Sequence, residues 1–126
     1  MITFNQLRQA NANRMQEIAN KDGLNTPFSA TTNTSEDWNI LEWCGAMCGE
    51  AGEAANVAKK MRRGQDMDIN DLAEELADTV IYADLAAKKM GIDLGEAIMN
   101  KFNEKSMKWK CETRIETPEE VLTDNS

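Results

Sequence analysis

Two acidic couplets are the residues of this chain best suited to chemistry. Glu50 and Glu53 stand three positions apart in a helix-forming stretch, and Glu75 and Asp78 repeat this spacing after 21 intervening residues. Because residues three apart share one helix face, each couplet directs two carboxylates the same way. If the two helices pack antiparallel, the four carboxylates meet and repel one another unless hard cations lie between them. The spacing therefore predicts a Mg²⁺ or Mn²⁺ site.

The alternative interpretation is that these acids form a solvated helix face, because glutamate is a common surface residue. The neighbours of the first couplet favour the metal site instead. A surface helix seldom keeps two glycines, which cost about 1 kcal/mol each relative to alanine. Small residues let another backbone or a ligand approach closely, and here they are Gly49, Ala51, Gly52, Ala54 and Ala55.

Composition predicts an all-α chain of one domain. The 126 residues include only two prolines and 6% aromatics, and the abundant Ala, Met, Glu, Lys and Leu favour helix over strand. We expect a single domain over residues 1–110 and a peripheral or disordered tail over residues 111–126. A net charge of -8 argues against binding nucleic acid, which requires clustered cations. Because we find neither a membrane-spanning apolar run nor a signal-peptide core, we expect a cytoplasmic protein without membrane contact.

The absence of histidine narrows the chemistry further. It excludes Ser-His-Asp and Cys-His catalysis and the Glu-x-x-His motif of di-iron helix bundles. Cys44 and Cys48 fall on an apolar helix stripe, so they are expected to be buried free thiols rather than zinc ligands. Metal chemistry with oxygen ligands is what remains.

Hydrophobic periodicity and capping residues predict four helices, over residues 4–21, 35–63, 70–91 and 93–110, with a loop at residues 24–35 between the first two. Capping boxes are expected at Thr3 with Gln6 and at Asp93 with Glu96, and Gly64 and Gly91 are expected to stop helices. The predicted core stripes are Leu41, Cys44, Cys48, Ala51, Ala55, Ala58 and Met61 in the second helix, and Leu72, Leu76, Val80, Ala83, Ala87 and Met90 in the third.

Candidate substrate contacts surround the acids. Trp43 lies two turns before Glu50 on one helix stripe, and Tyr82 follows Asp78 by one turn, so either ring could contact a nucleotide. Core or interface packing is the preferred explanation for Trp43, and a structural hydrogen bond explains Tyr82 equally well. Three lysines recur at helical spacing in the fourth helix, where they either reach phosphates or form a solvated face. These three are Lys101, Lys105 and Lys108.

The order of these motifs resembles the all-α nucleoside triphosphate pyrophosphohydrolases, the superfamily of MazG, the dimeric dUTPases and the dCTP pyrophosphatases. Residues 49–55 (Gly-Glu-Ala-Gly-Glu-Ala-Ala) look like its first acidic motif, and residues 71–82 (Asp-Leu-Ala-Glu-Glu-Leu-Ala-Asp-Thr-Val-Ile-Tyr) look like its second. Residues 91–97 (Gly-Ile-Asp-Leu-Gly-Glu-Ala) continue the match, which covers roughly residues 38–109.

The resemblance implies a four-helix module that forms a homodimer or homotetramer and converts a nucleoside triphosphate and water to the monophosphate and diphosphate, with two or three Mg²⁺ or Mn²⁺ ions. Glu50, Glu53, Glu75 and Asp78 match the family's metal ligands. We favour Glu53 as the general base that activates the attacking water. Lys101 matches a phosphate-contacting lysine, but Lys105 and Lys108 replace an Asn and an Arg that are common in the family.

Deoxynucleotides are the expected substrates, with dGTP or dCTP first, the purine by analogy to compact, phage-borne MazG-like enzymes. Three alternatives stay open. Instead of such an enzyme, the chain could be a non-catalytic helical oligomer that binds nucleotide, a phosphoribosyl-ATP pyrophosphohydrolase on the same scaffold, or a structural dimer with a solvated acidic face.

Overall fold

The computed structural model describes residues 1–20 and 38–117. Within these ranges the chain forms helices and no strands, which confirms the all-α prediction. None of the helices in these ranges is long and apolar enough to cross a membrane. The helices are α1 (Phe4–Ala19), α2 (Ile40–Arg62), α3 (Ile69–Lys89) and α4 (Leu94–Lys108). The predicted loop at residues 24–35 lies outside the described residues.

The chain divides at Gly91 into two compact units. The first unit, Met1–Gly91, holds α1, α2 and α3, and the second, Ile92–Ser126, holds α4. The prediction of one domain over residues 1–110 stays a prediction.

Local sequence sets most of the helix ends. The Thr3 hydroxyl accepts from the Gln6 backbone N–H while the Gln6 side chain accepts from the Thr3 backbone N–H, so the capping box predicted for α1 is confirmed. Gly64 and Gly91 follow α2 and α3 with φ values of 83° and 68°. This left-handed backbone conformation strongly favours glycine, as the predicted helix stops require.

Two helices begin at other residues than predicted. The first helical residue of α2 is Ile40, and a capping box of Asn39 and Glu42 holds its start. α3 begins at Ile69, because the Asp68 carboxylate caps the Asn70 backbone N–H. Other residues of the same capping types occur nearby in the sequence, so capping propensity alone did not identify Asn39 and Asp68 as the N-caps.

The core of the first unit forms where α1 and α2 pack against α3. Its fully buried members are Trp43 of α2 and Leu85 and Ala86 of α3. Partly buried residues surround them: Met15, Trp38, Cys44, Ile81 and Tyr82. Trp43 has the largest apolar surface of the group, so its burial decides which face of α2 turns inward.

The predicted core stripes of α2 and α3 are therefore wrong in part. Leu41 is 77% exposed and Cys48 is exposed, while Leu76 and Val80 of α3 are 53% and 43% exposed. The stripe of α2 that turns inward is the neighbouring one, with Trp43 and Ala54 buried and Glu50 half-buried between them. With this stripe facing inward, the first acidic couplet lies toward α3.

The expected burial of the cysteine thiols is also corrected. Cys44 is half-buried, and Cys48 is exposed because it lies on the outward face of α2. Cys111 is exposed as well, and all three thiols are free.

The second unit holds part of the predicted tail in place. Asn103 of α4 donates its side-chain N–H to the Ile115 carbonyl at 2.9 Å and accepts from the Ile115 backbone N–H at 2.8 Å. The paired bonds fix residues 111–117 beside α4, in the manner of one rung of a sheet. At the start of α4, the Asp93 side chain accepts from the Glu96 backbone N–H, which is one of the two hydrogen bonds of the capping box predicted there. Residues 118–126 of the predicted tail lie outside the described residues.

Candidate metal centre

The packing of α2 on α3 brings three of the four predicted acids together. Glu50, Glu75 and Asp78 each offer a carboxylate oxygen, and these oxygens lie within 4.8 Å of one another. All three residues are half-buried. We call Glu50, Glu75 and Asp78 the acidic cluster. Glu50 reaches it because it lies two turns beyond the buried Trp43 on the inward stripe of α2.

One oxygen of the cluster is sealed from solvent without a partner. Glu75 Oε2 is inaccessible to water and has no hydrogen-bond donor among the described residues, although Glu75 as a residue is only partly buried. A buried anionic oxygen without a donor is unfavourable, because it loses its hydration and gains nothing in return. The site therefore requires either a proton or a cation at this oxygen.

Glu53, the fourth predicted ligand, lies beside the cluster and is exposed. The largest cause that raises the pKa of Glu75 is the nearby Glu53 carboxyl, which can form a hydrogen bond with Glu75 only when the two groups share a proton. Burial, the negative charge of Glu53 and the nearness of Glu50 act in the same direction, and together they raise the pKa of Glu75 to about 7. Without a cation, the four acids thus retain a proton near neutral pH.

The donor set fits a hard divalent cation. Carboxylate oxygens are the ligands that Mg²⁺ and Mn²⁺ prefer, and the cluster supplies them from two helices without any sulfur or imidazole. Acidic clusters are common on helix surfaces, and the sealed Glu75 Oε2 distinguishes this one. A cation there would replace the proton and remove the repulsion among the acids.

Tyr82 lies between the acidic cluster and the aromatic core. Its ring centroid is 6.2 Å from that of Trp43. Burial raises the pKa of the Tyr82 phenol, and the charges of Glu50 and Asp78 raise it further, whereas the Arg14 guanidinium opposes them. The phenol therefore stays protonated at neutral pH and can donate a hydrogen bond toward the site.

Trp43, predicted as a substrate contact, lies in the core. It is 1% exposed, and Trp38 covers it with a ring centroid 4.5 Å away. A nucleotide base could reach the Trp43 ring only after this aromatic cluster opened. Trp38 is partly exposed and is the more accessible of the two rings.

The predicted phosphate contacts of α4 belong to the second unit. The Lys101 ammonium lies 3.6 Å from Glu104, both side chains being well exposed, and the Lys105 ammonium lies 5.6 Å from the centroid of the Trp109 ring. Lys108 is exposed. The contact of these lysines with a substrate stays a prediction.

A second polar cluster, which the sequence did not indicate, joins α1 to α3. Asp84 is 1% exposed, and its Oδ1 accepts from Arg8 Nε at 3.0 Å while its Oδ2 accepts from Asn11 Nδ2 at 2.9 Å. We call Arg8, Asn11 and Asp84 the α1–α3 polar cluster. The one signal in the sequence was an aspartate inside the apolar stretch that ends α3.

Comparison of the chain with protein-family models, with curated proteins and with solved structures found no match.

Proposed function

We propose that the protein is a metal-dependent nucleoside triphosphate pyrophosphohydrolase that converts a nucleoside triphosphate and water to the monophosphate and diphosphate. The proposal rests mainly on one observation, the sealed and unpartnered Glu75 Oε2 within a group of three carboxylates. The order and spacing of the two acidic motifs, which resemble those of the all-α pyrophosphohydrolases, support it from the sequence.

The half-buried acids and the exposed acid have different proposed roles. Glu50, Glu75 and Asp78 are half-buried and face one another, so they are the residues that would hold Mg²⁺ or Mn²⁺, with Glu53 completing the set. When bound, the ions neutralise the triphosphate oxygens and let an anionic substrate approach an anionic site. As in the family that the sequence resembles, we propose two or three ions per site.

We assign to Glu53 the role of the general base. It is exposed at the border of the acidic cluster, where water has access. In the proposed reaction Glu53 takes a proton from water as the water oxygen attacks the α-phosphorus. The bond between that phosphorus and the bridging oxygen then breaks, and diphosphate leaves with the electron pair. Tyr82 can donate a hydrogen bond to a phosphate oxygen beside Glu50 and Asp78.

Deoxynucleotides, with dGTP or dCTP first, are the substrates we propose to test. The assay measures diphosphate release from the eight common NTPs and dNTPs and from phosphoribosyl-ATP, with Mg²⁺ or Mn²⁺. We expect Glu53→Gln to lower turnover by about 10²- to 10⁴-fold, the usual contribution of a general base. Glu74→Gln is the matched control, because Glu74 is exposed on α3 and belongs to neither couplet.

Metal-dependent release by the wild type and its loss in Glu53→Gln would support the proposal. If no nucleotide turns over, the catalytic proposal is wrong and a nucleotide-binding oligomer becomes the better explanation. If phosphoribosyl-ATP alone is hydrolysed, the chemistry stands and the substrate class changes.

We also propose that the protein assembles as a homodimer or homotetramer. Large apolar side chains are exposed on the first unit, among them Leu41 at 77%, Ile69 at 71% and Leu76 at 53%. Exposed apolar area of this kind is typical of surfaces that another chain covers. Sedimentation of the wild type should give a dimer or larger species, and Leu76→Glu should shift it toward monomer. A monomeric wild type would contradict the proposal.

A further inference from the structure

A groove runs between α1 and α3 in the first unit, outside the acidic cluster. Its volume is about 440 Å³, and it is partly open to solvent. Leu7, Ala10 and Ile81 form its apolar wall, and Asn13, Arg14 and Glu17 supply polar groups. Apolar walls with a few polar groups are typical of sites for small organic molecules.

The α1–α3 polar cluster holds this groove in shape. Asn11 is 2% exposed, and its side-chain N–H groups reach both Asp84 Oδ2 and, at 3.5 Å, the Ile81 carbonyl. Ile81 itself lines the groove. Because these contacts tie α1 to α3 at the groove, its width is set before any ligand binds, which lowers the entropic cost of binding.

Arg14 connects the groove with the acidic cluster. It lines the groove together with Ile81, and Ile81 lies one helical turn beyond Asp78 on α3. Arg14 is exposed and makes no ion pair within the part of the chain that the structure describes. Arg8, which lies earlier on α1, instead donates its Nε–H to Asp84 Oδ1.

We propose that the α1–α3 groove is the subsite for the nucleoside of the triphosphate and that Arg14 holds a phosphate oxygen between this groove and the acidic cluster. This inference rests on the proposed function. The metal ions would offset part of the repulsion between the acidic cluster and phosphate, and a cation of the protein at the border of the cluster would offset more of it. A guanidinium suits this role because it can hold two phosphate oxygens at once. The apolar wall accepts the face of a base, and Asn13 and Glu17 offer hydrogen bonds to its edge or to the sugar.

Two kinds of ligand separate the phosphate contact of Arg14 from the nucleoside contact of the groove. Calorimetric titrations with Mg²⁺ compare the non-hydrolysable α,β-imido analogues of the four dNTPs with inorganic tripolyphosphate. Arg14→Gln should weaken both kinds of probe by about tenfold, the usual effect of losing one charge-assisted hydrogen bond. Ala10→Phe should weaken only the nucleotide analogues, also by about tenfold, because the phenyl ring fills the groove.

Matched controls keep the comparison specific. Arg62→Gln removes an exposed arginine of α2, and Ala73→Phe adds the same ring to an exposed position of α3 that does not line the groove. Both should bind like the wild type. Arg14→Lys keeps the positive charge but cannot donate two parallel hydrogen bonds as a guanidinium does, so it should recover part of the lost affinity. A melting curve by circular dichroism verifies that each variant folds.

Each outcome decides a separate part. Unchanged affinity in Arg14→Gln overturns its phosphate contact, and equal affinity of the wild type for tripolyphosphate and for every analogue overturns the nucleoside subsite. Loss of binding that depends on Arg14 and Ala10, in a protein without turnover, would contradict only the catalytic proposal. Turnover with unchanged KM in both variants would contradict only this inference.

Discussion

The first unit buries carboxylates in two ways, and the contrast between them separates a structural cluster from a functional one. In the α1–α3 polar cluster, both oxygens of Asp84 accept hydrogen bonds, one from Arg8 and one from Asn11. In the acidic cluster, the carboxylates of Glu50, Glu75 and Asp78 face one another, and Glu75 Oε2 has no donor among the described residues.

The difference indicates what each cluster needs. A buried carboxylate whose two oxygens accept from a cationic donor and an amide donor needs no further ligand, and its role is to fix two helices relative to each other. Carboxylates that face one another, one of them with a buried oxygen that has no donor, need a proton or a cation, because each negative charge destabilises the others. We therefore assign the α1–α3 polar cluster to the fold and the acidic cluster to ligand binding. Three predictions test this assignment.

The largest expected effect is on stability, at Asp84. Asp84→Asn removes the negative charge that faces Arg8 and should lower the free energy of unfolding by about 3 kcal/mol, the lower end for a broken buried ion pair. The lower end applies because the Arg8 side chain is 29% exposed and keeps part of its hydration. Urea unfolding followed by circular dichroism measures the change.

Asp66→Asn is the control for Asp84→Asn, since Asp66 is exposed between α2 and α3. Its effect should stay within about 0.5 kcal/mol, as for most surface substitutions. If Asp84→Asn is equally neutral, the α1–α3 polar cluster is not what joins the two helices.

The next effect is stabilisation by metal, at the acidic cluster. A cation that binds only the folded chain raises the free energy of unfolding by about 2.7 kcal/mol at a hundredfold excess over Kd. Mn²⁺ should therefore raise the melting temperature of the wild type and of Glu74→Gln, but not that of Glu75→Gln. A melting temperature that Mn²⁺ leaves unchanged in the wild type would contradict the metal site.

These two clusters also show how far the sequence could predict the fold. Several helix ends followed from local signals, because a cap such as Thr3 with Gln6, or a glycine with positive φ such as Gly64, acts within a few residues. The starts of α2 and α3 did not. The spacing of each couplet likewise placed its two acids on one helix face.

What could not be predicted depends on contacts between distant residues. The face of α2 that packs inward is decided by the burial of Trp43 against Leu85, about forty positions away, and period alone favoured the stripe through Leu41. Arg8 and Asp84 are 76 positions apart, so no local pattern pairs them. For the same reason, the sequence did not predict the groove beside Arg14.

The smallest expected effect is the pH dependence of stability, which arises from Glu75. In the folded chain without metal, the pKa of Glu75 is raised from 4.5 to about 7. The folded state therefore binds a proton more tightly than the unfolded state between these pH values. The contribution of this proton is complete below pH 4.5 and is lost as the pH rises through about 7, so stability in EDTA should fall across this range.

Urea midpoints at several pH values in EDTA measure this slope. Glu75→Gln carries no titrating carboxyl and should lose the part of the slope that Glu75 causes, while Glu74→Gln should keep it. With Mn²⁺ the sign should reverse, because the cation competes with the proton and binds more tightly as the pH rises. If wild type and Glu75→Gln have the same slope in EDTA, the acidic cluster does not retain a proton, and its contrast with the fully paired Asp84 disappears.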